Sequence, residues 1–129
     1  ADVTAMLGDL RASGRRFDLV ISDPPSFAPN EQARRPALAT YKRLHADCIA
    51  MTRPYGLFLA ASCSSHVNWS DFEETLREAA HQQKCALQVL ERGGADVDHP
   101  TLPAFPEGNY LKSILLRVLP GKRVAARGL

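Results

Sequence analysis

At 129 residues, with 45% apolar residues, 23% charged residues and a net charge of +2, the chain reads as one soluble globular domain large enough for its own core. No apolar run approaches the roughly 20 residues of a membrane span, and no charged-then-apolar secretory leader is visible. The three cysteines, Cys48, Cys63 and Cys85, lack Cys-x-x-Cys spacing, which argues against a disulfide framework or zinc cluster and for a reducing, cytoplasmic setting.

Taken in chain order, Val3, Met6, Leu7 and Leu10 recur at helical spacing, and Gly14 follows where a helix end favours a left-handed residue. Phe17 to Ser22 is a short apolar strand, stopped by Asp23-Pro24-Pro25 because proline lacks an amide donor and restricts the residue before it. Residues 26 to about 36 read as a loop. Leu38, Tyr41, Leu44, Cys48 and Met51 trace one face of a helix ending before Pro54-Tyr55-Gly56. A second strand, Leu57 to Ser62, runs into Cys63-Ser-Ser-His66. Ser70 and Glu73 have capping-box spacing for a helix that buries Phe72, Leu76 and Ala79 or Ala80 and ends near Gln83.

Ala86 to Glu91 is a third strand, and residues 92 to 109 form a long loop of the kind that tends to be functional or disordered. Tyr110 to Leu119 is the last strand. These elements predict an α/β domain over 1–119, mostly parallel with one antiparallel strand, and a flexible tail over 120–129.

Asp23 and Cys63 are the two residues whose chemistry stands out. Ligands of open α/β sheets sit beyond the carboxyl ends of the strands, and both residues occupy such ends. Asp23 fits either a turn before the prolines or an acceptor for a ring nitrogen or amino group. Cys63 fits either a buried structural thiol or a nucleophile, which acts as the thiolate. His66, three residues on, offers a partner, but His45, His81 and His99 show no ligand spacing, so no metal is expected. Cys48 and Cys85 read as structural. Lys42 belongs to a basic cluster with Arg34, Arg35 and Arg43 that can meet phosphates or simply solvent. The loop with His99, Phe105 and Tyr110 fits either a base-stacking element or a packed connector. Neither a Gly-x-Gly-x-x-Gly cradle nor a Gly-x-Ser-x-Gly elbow is present.

Three segments together resemble the class I S-adenosylmethionine-dependent methyltransferases, and more narrowly the large-subunit ribosomal RNA cytosine-5 methyltransferases that carry a PUA domain. They are Phe17-Asp-Leu-Val-Ile-Ser-Asp-Pro-Pro-Ser-Phe-Ala28, Ala61-Ser-Cys-Ser-Ser-His66, and Asp98-His-Pro through Pro106-Glu-Gly-Asn-Tyr-Leu-Lys112. The resemblance implies the C-terminal half of a Rossmann-like catalytic domain, strands four to seven, with the glycine-rich cofactor strand outside this chain. It implies Cys63 as the nucleophile that adds to cytosine C6 and Asp23 as the residue that holds the base edge. Pro24, Pro25, Phe27, Lys42, His99 and Tyr110 fall on the substrate side, and Asp2 falls near the adenine of S-adenosylmethionine. Pro25 stands where related RNA enzymes often carry a second cysteine.

A base-nitrogen methyltransferase using the Asp-Pro-Pro loop is the enzymatic alternative, and a non-catalytic dimerising fragment is the other. Ribosomal RNA is the expected partner. The chain alone is expected to be inactive, to bind S-adenosylmethionine weakly or not at all, and to form a homodimer through the apolar edge of strand 17–22.

Overall fold

The computed structural model describes residues 14–24, 30–64, 66–93 and 111–121. The helix expected near residues 3–10, most of the 92–109 loop and the tail lie outside them, as do Asp2, Pro25, Phe27, His99 and Tyr110. The described elements are β1 (Phe17–Ser22), a 3-10 turn (Glu31–Ala33), α1 (Arg34–Met51), β2 (Thr52–Ser62), α2 (Trp69–Gln82), β3 (Cys85–Gly93) and β4 (Lys112–Pro120). Among the described residues no helix is long and apolar enough to cross a membrane.

The four strands form one sheet in the order β1-β2-β4-β3. β1 and β2 pair in parallel, while β4 pairs antiparallel with both β2 and β3. Three strands therefore run one way and β4 runs against them. Helix α1 joins β1 to β2 and α2 joins β2 to β3, and both pack on the same face of the sheet. Their core includes Tyr41, Phe58, Phe72, Leu76, Leu87, Ile114 and Leu116. The period-two row Ile114, Leu116 and Val118 is buried on that face, whereas Leu19 and Ile21 of β1 are 51% and 60% exposed.

Helix α1 starts earlier than its apolar spacing implies, because Pro36 sits in its first turn, where amides have no intrahelical acceptor to lose. The turn expected at Pro54-Tyr55-Gly56 lies inside the span of β2. Pairing with β1 steps from Phe17↔Thr52 to Leu19↔Leu57, so residues 53–56 loop out of the ladder. Tyr55 takes the left-handed φ of 66° there, and a Cβ on Gly56 would lie 2.8 Å from the Arg53 carbonyl oxygen. β3 carries an irregularity between Val89 and Glu91, which leaves Leu90 exposed.

The capping residue of α2 differs from the sequence expectation. Asn68, not Ser70, is the N-cap, and its side-chain oxygen accepts from the Asp71 amide at 2.8 Å. Glu73 is drawn away from the helix start by Arg92 of β3, which donates to it at 2.8 and 3.1 Å.

Candidate active site

β1 and β2 are adjacent parallel strands, so their carboxyl ends open on one rim. The last paired residues are Ser22 and Ala60. Asp23 follows directly on β1, and Cys63 follows the end of β2, on strands about 5 Å apart. Both side chains are exposed, and Pro24 beside Asp23 is half-buried.

The residues just beneath them are buried. Ser22 at the end of β1 lies beside the thiol of Cys48 on α1. Burial pushes that thiol up to about 12, against a smaller lowering by Ser22 and with a smaller rise from the Asp47 charge. Burial likewise raises Cys85 to about 11, so neither cysteine is a nucleophile near neutral pH. Cys63 is the exposed thiol of the three.

The turn that carries Cys63 is held on both sides. Ser62 and Ser64 are buried while Cys63 between them is not. The Ser62 hydroxyl lies 2.9 Å from the Tyr41 hydroxyl of α1 in a hydrogen bond and accepts from the Ser64 amide at 3.4 Å. Lys112, the residue of β4 paired with Ser62, donates its ammonium to the Ser64 carbonyl at 3.0 Å. The His66 amide donates to the Ser64 hydroxyl at 3.3 Å. The rest of the rim is held by an ion pair and a hydrogen bond. Arg34 at the start of α1 forks onto Asp71 at the start of α2, with contacts of 2.7 to 3.2 Å. That hydrogen bond and the Asp71 charge raise the Arg34 pKa, so its guanidinium stays charged. The His66 ring lies 3.2 Å from Glu31, which joins the segment after β2 to the 3-10 turn.

The fold thus brings Asp23, Pro24 and Cys63 to one rim, but it does not bring Lys42 there. Lys42 lies two turns along α1 and faces Glu78 of α2 at 3.6 Å. Nothing in the sequence marked Ser62, Ser64, Tyr41 and Lys112 as holding the turn that carries Cys63. Lys112 was visible as the end of the third resembling segment and as a lysine opening an otherwise apolar alternating row. Among the described residues no group of three or more His, Cys, Asp or Glu side chains is arranged to hold a metal ion.

Comparisons with known proteins agree with this architecture. No protein-family model matches the chain. Over 118 residues, 92% of this chain, it is 37% identical to the ribosomal RNA large subunit methyltransferase I of Yersinia pestis bv. Antiqua (strain Angola). It is 36% identical to the protein of the same name from Yersinia pseudotuberculosis serotype O:1b. The chain spans 30% of the length of these curated relatives. Among solved structures, a methyltransferase complexed with SAH superposes with a TM-score of 0.69 at 23% identity, covering 91% of this chain and 30% of the other. A SAM-dependent methyltransferase from Streptococcus mutans gives 0.67 at 19% identity, covering 91% and 29%. The sheet and helices described above are therefore part of a methyltransferase fold.

Proposed function

We propose that these residues form the substrate side of an S-adenosylmethionine-dependent ribosomal RNA methyltransferase that methylates cytosine at C5. In this reading the chain corresponds to strands four to seven of the catalytic domain and works in the cytoplasm. The observation that carries it is the delivery of an exposed acid, Asp23, and an exposed thiol, Cys63, to one rim by adjacent parallel strands. The similarity to ribosomal RNA large subunit methyltransferase I supports the substrate class.

Cytosine C5 is a weak nucleophile, and a covalent adduct overcomes that. The Cys63 thiolate adds to C6 of a base flipped from its stack, forming a C–S bond. Asp23 holds the N3 edge and stabilises its protonated form, so the ring electrons reach C5. S-adenosylmethionine, when bound, supplies an electrophilic methyl group on a sulfonium. C5 would take that methyl as its bond to the sulfonium sulfur breaks and the neutral thioether leaves. A base would then remove the C5 proton, and the electron pair would restore the ring as the Cys63 sulfur leaves. The Pro24 carbonyl beside Asp23 would accept from the exocyclic amine of the base, and Asp2 would meet the adenine of the cofactor.

The test compares the full-length protein with its Cys63→Ala variant on ribosomal RNA. Loss of at least 10²-fold in methyl transfer is expected. Transfer retained in the variant would remove the C5 assignment and leave methylation of a base nitrogen.

A second copy of the chain is the proposed occupant of the outer edge of β1, through which two copies pair. The support is an edge position among the described strands, with Leu19 and Ile21 exposed beside it. Light scattering at high concentration should give a dimer that Ile21→Lys weakens. A monomer throughout would refute it.

A further inference from the structure

The amino ends of the parallel strands form the pole opposite the Asp23–Cys63 rim, and two irregularities of one kind meet there. Among the described residues, Tyr55 and Lys84 are the ones other than glycine with a left-handed backbone, at φ of 66° and 56°. Glycine is the cheaper residue at both places, because a Cβ there crowds the following carbonyl. Lys84 follows the Gln83 cap of α2, where glycine usually closes a helix, and its amide donates to the His81 carbonyl at 3.1 Å. Tyr55 sits in the loop-out of β2, where the Arg117 guanidinium donates to its carbonyl at 3.5 Å. Tyr55 is nonetheless 62% exposed, and Lys84 is exposed too, so core packing accounts for neither side chain.

Lys84 and Pro54, the neighbour of Tyr55, both line an open cavity of about 350 Å³. Arg16 and Gln83 add polar groups to its wall, and Ile49 and Val118 add apolar ones. No acidic residue is among the described residues that line it. Arg15 and Arg53, both exposed, flank the Phe17↔Thr52 pair at the same pole, and Asp18 offsets Arg53 at 2.9 Å. Cations without a carboxylate draw an anion, and an exposed aromatic beside them suits a flat ring.

We propose that this pole is a second RNA-binding site, which holds a single-stranded segment away from the target base. Phosphates of the segment meet Arg16 and Lys84 over the cavity, and an unpaired base stacks on Tyr55. The site deepens, and rests on, the reading of the protein as an enzyme of ribosomal RNA. It lies roughly 20 Å from the rim along the strands, so it grips the RNA without touching the reaction.

The test is binding of a fluorescently labelled single-stranded RNA oligonucleotide to the full-length protein, read by anisotropy at low and moderate salt. Heparin, a polyanion without bases, is the comparison probe. Tyr55→Gly removes the ring and relieves the left-handed backbone, and it should weaken RNA binding about fivefold or more while leaving heparin unaffected. Its unfolding midpoint should not fall, which separates lost stacking from lost structure. Tyr55→Phe should keep the affinity. Lys84→Gly, equally suited to its backbone, should weaken both probes and reduce the salt slope by about one.

Unchanged RNA affinity in a folded Tyr55→Gly protein overturns the proposal, and so does an equal loss for heparin. An unchanged salt slope in Lys84→Gly overturns it as well. If Tyr55→Gly unfolds, Tyr55→Asn, which also tolerates the left-handed region, is read by the same criterion. If both unfold, Tyr55 is a structural requirement and the proposal fails. A wild-type protein that neither methylates nor binds ribosomal RNA sinks the underlying reading. An active enzyme whose Tyr55→Gly variant binds RNA unchanged sinks only this site.

Discussion

His45 lies fully buried among Tyr41, Phe58 and Phe72, with ring centroids 5.3 to 5.9 Å away. The Thr75 hydroxyl gives its proton to the Phe72 carbonyl at 2.6 Å, so it must accept from His45 Nδ1 at 3.1 Å. That fixes the neutral tautomer with hydrogen on Nδ1, and Nε2 has no hydrogen-bond partner among the described residues. Burial drives the imidazole down to about 3. In the unfolded chain it titrates near 6.5, so between those values the unfolded state binds the extra proton. Stability is thus fully present above pH 6.5 and falls as pH drops toward 3. At pH 5 the expected loss is about 2 kcal/mol relative to pH 7.5. Urea unfolding at the two pH values should show it, and His45→Phe should remove most of the difference. The same residue shows what sequence conceals. A histidine inside an apolar helix face looks like any other polar residue until its neighbours are known, whereas Asp23 and Cys63 were legible because each directly ends an apolar strand.

At the scale of elements, α2 shows how a local pattern can be ambiguous. Ser70-x-x-Glu73 and Asn68-x-x-Asp71 overlap, and either can open a helix. Tertiary partners decide between them, since Arg92 engages Glu73 and Arg34 engages Asp71. The helix therefore begins at Trp69, and its Asn68 cap satisfies the Asp71 amide. Replacing Asn68 with Ala should cost about 1 kcal/mol. Ser70→Ala, on an exposed residue, should stay within about 0.5 kcal/mol, as denaturant unfolding of the two variants would show. If the ranking were reversed, the cap would have been misassigned.

At the scale of the whole molecule, the succession of strands and helices was readable from periodicity, and so was the reversed direction of β4. No helical pattern connects β3 to β4, and an antiparallel pair needs no crossover. The place of β4 was not written in any local pattern. An apolar alternating strand pairs equally well outside β3 or between β2 and β3. The difference lies in the match of Ile114, Leu116 and Val118 to the core already formed by α1 and α2.

That inserted position bears on how the chain acquires its structure. β2 and β3 are made before β4 yet do not touch in the sheet, and each meets β4 along its length. Until residues 112–120 arrive, the β1–β2 pair and β3 remain separate, and the aliphatic row that closes the core is missing. All β2–β4 pairs also join residues distant in sequence, so their closure entropy must be met before contact energy is gained. Folding should therefore be slow and strongly cooperative, with β4 as a late keystone. The turn that presents Cys63 would gain its Lys112 support in that same step, so the proposed reactive thiol would be braced only once the sheet is complete.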